Sequence, residues 1–582
     1  MLYSEIAETY QKIEVTTKRL QMTDILVELF RKTPSNLIDK MTYLTQGKLY
    51  PDYVGVELGI AEKMTITSLT RVSGFSKNTV LEKWKSIGDL GSTAESLLES
   101  KYTFHKKPLT VEKVYTTLEK IASAKGKGSS ALKINLLSDL IADATPIEAR
   151  YLMRIVTGKL RLGIGDMTIL DALSIAYGGG KENRKRVERA YNLSSDIGEV
   201  AKALLSHGIK GADEFKISLG RPIRPMLCER MTSAKEILEK MDGKASVEYK
   251  YDGLRIQAHI STKSVELFSR RLENITSQFP DVVKYLNKSI TIKDTIVDGE
   301  CVAVDPNTGT LQPFQVVTHR RGRKYEVKKA IREIPVVLFL FDLLYIDGTS
   351  FMNQPYLQRI AMLKKTVKES EQIIVVEHSV VADPEEIDEF MAKSIEIGCE
   401  GVVVKSIKEE STYQAGSRGF LWVKYKRDYR SEMADPVDLV VVGAFAGRGR
   451  RAGTYGALLT AAYDKEGDVF RTISKIGTGF DDMTLGKLPE MFKLIDNKHP
   501  RVDSKIEADY WFTPDRVIEV VGSELTLSPS HTCGLDMIQQ GVGIAIRFPR
   551  FTGRWRTDKS PEDSTTVSEI VDMYKSQLKK IN

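Results

Sequence analysis

The sequence predicts a multidomain chain, with an all-α domain over residues 1–219, an α+β domain over 220–432 and a small β-barrel over 433–582. Three observations carry this. At 582 residues the chain is too long for one core, so about three or four domains are expected. Apolar positions recur at three- and four-residue spacing as far as about residue 219, and then give way to short β-rich runs. A third texture begins near 433, where glycine- and arginine-rich connections join strand-like segments.

Taken in order, "MLYSEIAETYQKIE" spaces Leu2, Ile6, Tyr10 and Ile13 as an amphipathic helix. Its early Glu5 and Glu8 exclude a secretory signal. "TDILVELFRKT" and "SSALKINLLSDLIADA" are helical, with Thr23 and Ser129 as expected caps. "SKYTFHKKPLTVEKVYTTLEK" (100–120) is a loop through Pro108, with a helix starting after Thr110. From about 220, "SVEYKYDGLRIQAHI", "SVELFS", "DTIVDGECVAVD", "PVVLFLFDLLYIDG", "EGVVVKS" and "LWVKYKR" read as strands with helices between them. "DLVVVGAFAGRGRRAGTYGALLTAAYD" reads as two strands joined by a short connection. There is no internal repeat.

Hydrophobic content of 42% and charged content of 28% are ordinary for a soluble globular chain. The net charge of +7 permits a polyanionic partner without requiring one. Cys228, Cys301, Cys399 and Cys533 are far apart with no CxxC pair, which argues against zinc and disulfide frameworks and for a reducing cytoplasm. The longest apolar run, "IPVVLFLFDLLYI" (334–346), is short and interrupted by Asp342, so no membrane span is expected. The seven histidines form no HxH or HxxxH set. "YGGGKEN" places Glu182 after its lysine and "GKGSS" lacks the spacing, so there is no P-loop. No GxGxxG follows a strand.

What remains is a series of charged residues at strand ends. In "VEYKYDGLRIQAH" (247–259), strand alternation sends Glu248 and Lys250 to one face and Tyr249 to the other. Taken alone, such a lysine is usually a solvated edge residue. Downstream, "FSRR" offers Arg270, "VDGEC" Glu300, "LFDLLYIDG" Phe341 and Asp342, "EGVVVK" Glu400 and Lys405, and "WVKYK" Lys424 and Lys426. Each is cheap by itself, but this order within about 180 residues is hard to obtain by chance.

The combination resembles the covalent nucleotidyltransferase superfamily, and within it the ATP-dependent DNA ligases of the archaeal and eukaryotic replicative type. "YLMRIVTGKLRLGIGD" (151–166), "DLVVVGAFAGRGRRAGTYGALL" and "RFPRFTGRWRTDK" (547–559) extend the resemblance along the whole chain. It implies a helical DNA-binding domain (1–219), an adenylation domain (220–432) and an OB-fold domain (433–582).

It also implies the roles. Lys250 would attack the α-phosphorus of ATP and carry AMP as a phosphoramidate. An ammonium is no nucleophile, and the expectation is that burial with Lys424 and Lys426 lowers the Lys250 pKa. Glu248 would contact adenine, Arg255 and Arg270 the ribose and phosphates, and Glu300 the ribose hydroxyls. Phe341 would stack on the base. Glu400, with Glu300, would ligate Mg²⁺, with Mn²⁺ as an alternative. Lys424, Lys426 and Arg418 would neutralise phosphates. From the C-terminal domain, Arg547, Arg556 and Lys559 would orient pyrophosphate. Arg556 is favoured over Arg554 because it keeps the R-x-D-K spacing.

For DNA, Lys159 and Arg161 in "TGKLRLGIGD" and Arg448, Arg450 and Arg451 in "GRGRRAGTYG" are phosphate-contact candidates. Without the resemblance, both stretches read equally well as turns with solvated charges. "KYTFHKK" (101–107) is the candidate for a sliding-clamp peptide through Tyr102 and Phe104, although the usual glutamine is missing. The expected partner is nicked double-stranded DNA, with no membrane, a monomeric state and a cytoplasmic location, nucleoid-associated if the source is prokaryotic. An RNA ligase or mRNA guanylyltransferase shares the lysine chemistry, but the large helical domain argues against both. An inactive DNA-binding scaffold would not need Lys250, Glu300, Glu400 and Lys424 together.

Overall fold

In the computed structural model of the protein, the described residues are 1–99, 107–292, 294–305, 309–320, 327–426, 435–447, 451, 453–522 and 524–579. The chain forms two compact units. One is Met1–Phe75 with Ala94–Lys426, and the other is Ser76–Thr93 with Arg427–Asn582.

The first unit is helical up to Ile209–Asp213. Helix Tyr3–Glu14 buries Tyr3, Ile6, Ala7, Tyr10 and Ile13, the stripe its spacing predicts, while Leu2 stays outside. Thr110 caps helix Val111–Ser123 by accepting from the Lys113 N–H, as expected. Two expected caps differ. Thr23 lies inside helix Arg19–Lys32, where its hydroxyl donates to the Arg19 carbonyl. Ser129 is the first residue of its helix, and Gly128 precedes it at φ 87°. In both cases the apolar periodicity begins after the geometric start, so the cap inferred from the first apolar residue is misplaced.

The rest of this unit is built from strands β1 (Leu227–Arg230), β2 (Ala245–Lys250), β3 (Leu254–Ile260), β4 (Val265–Ser269), β5 (Thr295–Ala303), β6 (Val336–Ile346), β7 (Thr349–Ser350), β8 (Ile373–Val375), β9 (His378–Val381), β10 (Gly401–Ser406) and β11 (Arg418–Lys426). They form two sheets. One runs β1-β11-β10-β2-β9; the other runs β4-β3-β5-β6-β7, with β8 beside β6. Val247, Val402, Val404, Val423 and Tyr425 bury one face of the first sheet against helices Ala234–Lys240 and Pro384–Glu396. Each fully buried aliphatic side chain there contributes about 1.5–3 kcal/mol.

The chain passes from the first sheet to the second at Tyr251–Gly253. A Cβ at Gly253 would lie 2.5 Å from the Cys301 carbonyl oxygen, so only glycine allows β3 to approach β5 here. Gly253→Ala is expected to spread this junction and destabilise the first unit by about 1–3 kcal/mol. Comparing the melting temperature with that of wild type checks this; an unchanged value would refute it.

A buried polar network holds the segment before β1 against the second sheet. His259 accepts the Gly220 N–H on Nδ1 (3.1 Å) and donates from Nε2 to Gln257 (3.0 Å). Gln257 also bonds the Ile223 backbone in both directions. A proton added at Nδ1 would face an N–H donor, and burial pulls the His259 pKa down to about 3. Because the folded value lies below the ordinary 6.5, the contribution to stability is present above pH 6.5. It is lost as pH falls towards 3, at up to about 1.4 kcal/mol per pH unit. The Tm gap between wild type and His259→Gln should therefore narrow between pH 7 and pH 4; a constant gap would refute this.

The second unit contains β12 (Val437–Ala446), β13 (Tyr455–Asp464), β14 (Val469–Ile476), β15 (Leu494–Ile495), β16 (Val502–Asp503), β17 (Tyr510–Phe512), β18 (Val517–Val521), β19 (Glu524–Ser528), β20 (Gly543–Arg547) and β21 (Arg550–Trp555). The first two are the strands expected on either side of the glycine- and arginine-rich connection. The main sheet runs β15-β17-β12-β13-β14-β16, with β18 joining β12 to β21, and β19 pairs β20. Leu439, Val441, Leu458, Ile473 and Phe512 lie in its core, beneath helix Val567–Lys579. No described helix is long and apolar enough to cross a membrane.

Candidate active site

Strand register assembles one wall of the site. Lys250 lies opposite Gly401, which lies opposite Lys426 on β11. Two residues along, Glu248, Val403 and Lys424 form the next row, and Ser246, Lys405 and Trp422 the third. Cross-strand partners share a face, so Lys250, Glu248, Lys405, Lys424 and Lys426 all rise from the side opposite the apolar packing. Gly401 leaves the space between Lys250 and Lys426 open, and Glu400 enters it. Its Oε2 is 2.7 Å from Lys250 Nζ and 2.5 Å from Lys426 Nζ.

The second sheet supplies the facing wall. Arg255 pairs with Glu300 across β3 and β5, and Phe341 comes from β6. Phe341 meets Trp422 edge-on at 6.1 Å. Lys405 Nζ, itself 1% exposed, donates to the Phe341 carbonyl (3.2 Å) and lies 4.4 Å from the Trp422 ring centre.

The electrostatics differ from the sequence expectation in two places. Burial pulls the Lys250 pKa down, but the carboxylates of Glu400 and Glu300 outweigh it, and the net shift is upward rather than downward. Lys426 is occupied by Glu400. Burial and then the charge of Lys426 lower the Lys424 pKa. Glu248, in turn, neither pairs with Lys250 nor stands open. It is 2% exposed, ion-paired with Lys405, and accepts a hydrogen bond from the Tyr356 hydroxyl (3.2 Å). Lys405 has no role in the sequence reading, because nothing local in "EGVVVK" links it to Glu248. The β2–β10 register is the signal that finds it.

Three carboxylates crowd the pocket. Burial raises Glu300 to about 7, with Lys250 and Arg255 opposing and Glu400 and Asp252 adding. Burial and a hydrogen bond with Glu400 raise Asp252 to about 6. Glu400, against burial, is held down to about 2, chiefly by Lys250.

Arg255 is deeply committed. It donates to the Met226 carbonyl (2.7 Å), to buried Asp298 (2.8 Å) and to Tyr413 (3.1 Å). Its Nε is buried without a partner among the described residues. Arg270, at the end of β4, and Arg418, at the start of β11, are exposed. Asp342, singled out beside Phe341, turns away from the site into a bidentate pair with Arg359, both fully buried.

With this geometry in place, the family described as "ATP dependent DNA ligase domain" matches residues 225–426, "DNA ligase N terminus" matches 2–174, and "ATP dependent DNA ligase C terminal region" matches 451–559. The chain is 53% identical over 589 residues to "DNA ligase 2" of Thermofilum pendens, covering 99% of this chain and 98% of that one. It is 50% identical over 598 residues to the "DNA ligase" of Staphylothermus marinus, covering 100% of both. The chain belongs to the ATP-dependent DNA ligase family. A solved structure titled "Pmar-Lig_Pre." covers 95% of this chain and 99% of its own, with a TM-score of 0.57 and 18% identity, and so supports the fold. The architecture is the family's three-domain one, helical at the N-terminus and sheet-rich beyond, and the enzyme is an ATP-dependent DNA ligase.

Among the described residues, no group of three or more His, Cys, Asp or Glu side chains is arranged to hold a metal by itself. Mg²⁺ commonly takes one or two carboxylates and fills its shell with water and substrate phosphate. Glu300 and Glu400 are hard oxygen donors beside the lysine cluster, and the Glu400 charge that adds to burial in raising Glu300 and Asp252 is one that a cation would offset. The donor set fits.

In the second unit, Arg556 pairs with Asp438 (2.5 Å) and Asp558 (2.7 Å), and Lys559 also reaches Asp438 (2.8 Å). Arg554 is far more exposed and pairs with Glu519 at 3.4 Å. Arg547 pairs with Glu524 (2.5 Å). Arg451 donates to the carbonyls of Gly456 and Gly477. In the first unit, Lys159 lies 3.3 Å from Glu62, and Arg161 takes φ 60°. Arg448 and Arg450, and the clamp candidates Tyr102 and Phe104, lie outside the described residues.

Proposed function

We propose that Lys250 is the nucleophile that takes AMP from ATP. The single observation behind this is its half-buried position, 2.7 Å from Glu400 and on one sheet face with Lys424 and Lys426. In the resting pocket Glu400 keeps the amine protonated. Release of Lys250 from Glu400 leaves burial and the remaining lysines to favour the neutral amine, with the proton passing to water. The Nζ lone pair then forms the bond to the α-phosphorus, and the bond to pyrophosphate breaks with its electron pair leaving on pyrophosphate. AMP passes to the 5′-phosphate of a nick, which frees the amine. Attack by the 3′-hydroxyl forms the phosphodiester and releases AMP.

The other residues follow from their walls. Phe341 offers its ring to adenine, and Glu248, held by Lys405 and Tyr356, shapes the base pocket from below. Glu300 serves the ribose, and Arg255, Arg270, Arg418, Lys424 and Lys426 the phosphates. Glu400 and Glu300 would hold Mg²⁺, or Mn²⁺ in its place, which when bound offsets phosphate charge. Arg547, Arg556 and Lys559 lie on the C-terminal domain, which we read as an OB-type barrel over 433–582 that follows a helical DNA-binding domain (1–219) and an adenylation domain (220–432). Lys159, Arg161 and Arg451 are DNA-side residues in this reading. The partner is nicked duplex DNA, bound by a monomer, with a sliding clamp as a further partner. Four free cysteines support a reducing, cytoplasmic location.

Incubation with α-labelled ATP and a divalent cation, followed by a denaturing gel, tests the reading. Label should stay on the protein and then be chased by nicked DNA but not by nicked RNA. Wild-type protein without label would overturn it.

A further inference from the structure

A line of polar side chains runs from the surface of the first unit inward to Glu248. At its outer end the exposed Lys364, near the end of helix Tyr356–Thr366, lies 3.2 Å from His378 Nε2. His378 stands on β9 directly opposite Glu248. Its Nδ1 is 3.4 Å from the hydroxyl of Ser246, which precedes Glu248 by two residues on β2. Ser246 bonds the Tyr356 hydroxyl, and Tyr356 donates to Glu248 Oε2 (3.2 Å). Ser246, Glu248 and Tyr356 are buried, so only the Lys364 end meets solvent.

Donor chemistry gives this line one direction. An ammonium has hydrogens to donate and no acceptor, so His378 Nε2 accepts from Lys364. The ring proton then sits on Nδ1 and is offered to Ser246. Burial, followed by the charges of Lys364 and Lys405, lowers the His378 pKa and keeps the ring neutral. Ser246 passes its own hydrogen to Tyr356, and Tyr356 passes its hydrogen to Glu248. Every bond points inward, and the last group is left as an acceptor. On its other oxygen Glu248 is ion-paired with Lys405, whose ammonium lies 4.5 Å from the Tyr356 ring centre. Burial pushes the Glu248 carboxyl up, while Lys405 and the Tyr356 hydroxyl oppose it. Without such donors a buried carboxyl turns to its neutral form, which can donate as well as accept.

We propose that Lys364, His378, Ser246 and Tyr356 are positioning residues that hold Glu248 as an obligate acceptor, so that the pocket selects a purine with an amino group at C6 over one with a carbonyl there. The proposal rests on the reading that Glu248 faces the base. A 6-amino group supplies the N–H that a fixed acceptor needs. A 6-oxo group brings a second acceptor against the first and leaves both without a hydrogen in a dry pocket. The four residues act through Glu248 and do not themselves touch the nucleotide.

Adenylation kinetics of the full chain with ATP, GTP and purine riboside triphosphate, which lacks the C6 amino group, test this. In Tyr356→Phe the KM for ATP should rise about five- to tenfold, and selectivity for ATP over GTP should fall about tenfold. The maximal rate with ATP and the KM for the unsubstituted purine should each move by less than about twofold. At the surface, Lys364→Met should lower selectivity by about two- to threefold, whereas Lys364→Arg, also a pure donor, should keep it. Melting temperatures of both Lys364 variants should match wild type, and if Tyr356→Phe does not fold, the Lys364 pair decides alone. Unchanged selectivity in Tyr356→Phe or in Lys364→Met would overturn the proposal. So would equal rises in KM for ATP and the unsubstituted purine, which would mean a distorted pocket. Glu248→Ala separates the two readings. If it keeps the preference for ATP over the unsubstituted purine, the placement of Glu248 at the base falls. If it loses that preference while Tyr356→Phe keeps it, only the relay falls.

Discussion

Lys250→Ala should leave no AMP on the protein, with the adenylation rate down on the order of 10⁴-fold or more, the scale seen when a nucleophile is removed. Lys250→Arg should be as inactive, for a different reason. A guanidinium could keep the Glu400 pairing, but it does not lose a proton in a protein, so the side chain remains a cation where an amine is needed. The amine is not consumed in the last step. Nicked DNA supplied already adenylated should therefore still be sealed by Lys250→Ala, within about tenfold of wild type. Gel-based adenylation and single-turnover sealing check the two halves separately. Persisting label on Lys250→Ala would remove Lys250 from the mechanism. The raised Lys250 pKa adds a direction: the amine is protonated at neutral pH, so kcat/KM for adenylation should climb as pH rises from about 6 to about 9.

The largest expected loss of stability is at Asp342. Its carboxylate takes both prongs of Arg359, which also donates to the carbonyls of Gln354 (2.7 Å) and Ser411 (3.0 Å), and neither side chain of the pair is exposed. Asp342→Ala strands a guanidinium in a dry interior, which costs about 3–5 kcal/mol. Because Arg359 fastens the 411 segment beside Tyr413 and hence Arg255, adenylation should weaken as well. Replacing both partners, as in Asp342→Leu with Arg359→Met, should recover much of the stability, since two apolar groups leave no unpaired charge. Calorimetric melting of the single and double variants measures this. A single variant that melts with wild type would show the pair to be dispensable.

The same aspartate shows where reading the sequence stops. Strand alternation suffices to put Glu248 and Lys250 on one face, to outline β5 and β6, and to find β12 and β13 around their connection, because period-two patterning and turn residues are local signals. Thr110 is recognisable as a cap because proline, cap and apolar run follow one another in the chain. Partner identity is not local. Arg359 lies on a helix 17 residues beyond Asp342, and Lys405 reaches Glu248 only through the register of β10 on β2. The direction of the Lys250 pKa shift escapes the sequence for the same reason. Counting cations nearby in sequence ignores that Glu400 occupies one of them and touches Lys250 itself.

Gly253 gives the pocket a fixed gauge. The distance between the wall that carries Lys250 and the wall that carries Arg255 and Glu300 is set by one main-chain carbonyl resting against a residue without a side chain. A backbone stop of this kind does not drift when neighbouring side chains are exchanged. The aromatic and charged linings of the two walls can therefore be exchanged without the spacing between Lys250 and the opposite sheet having to be readjusted each time.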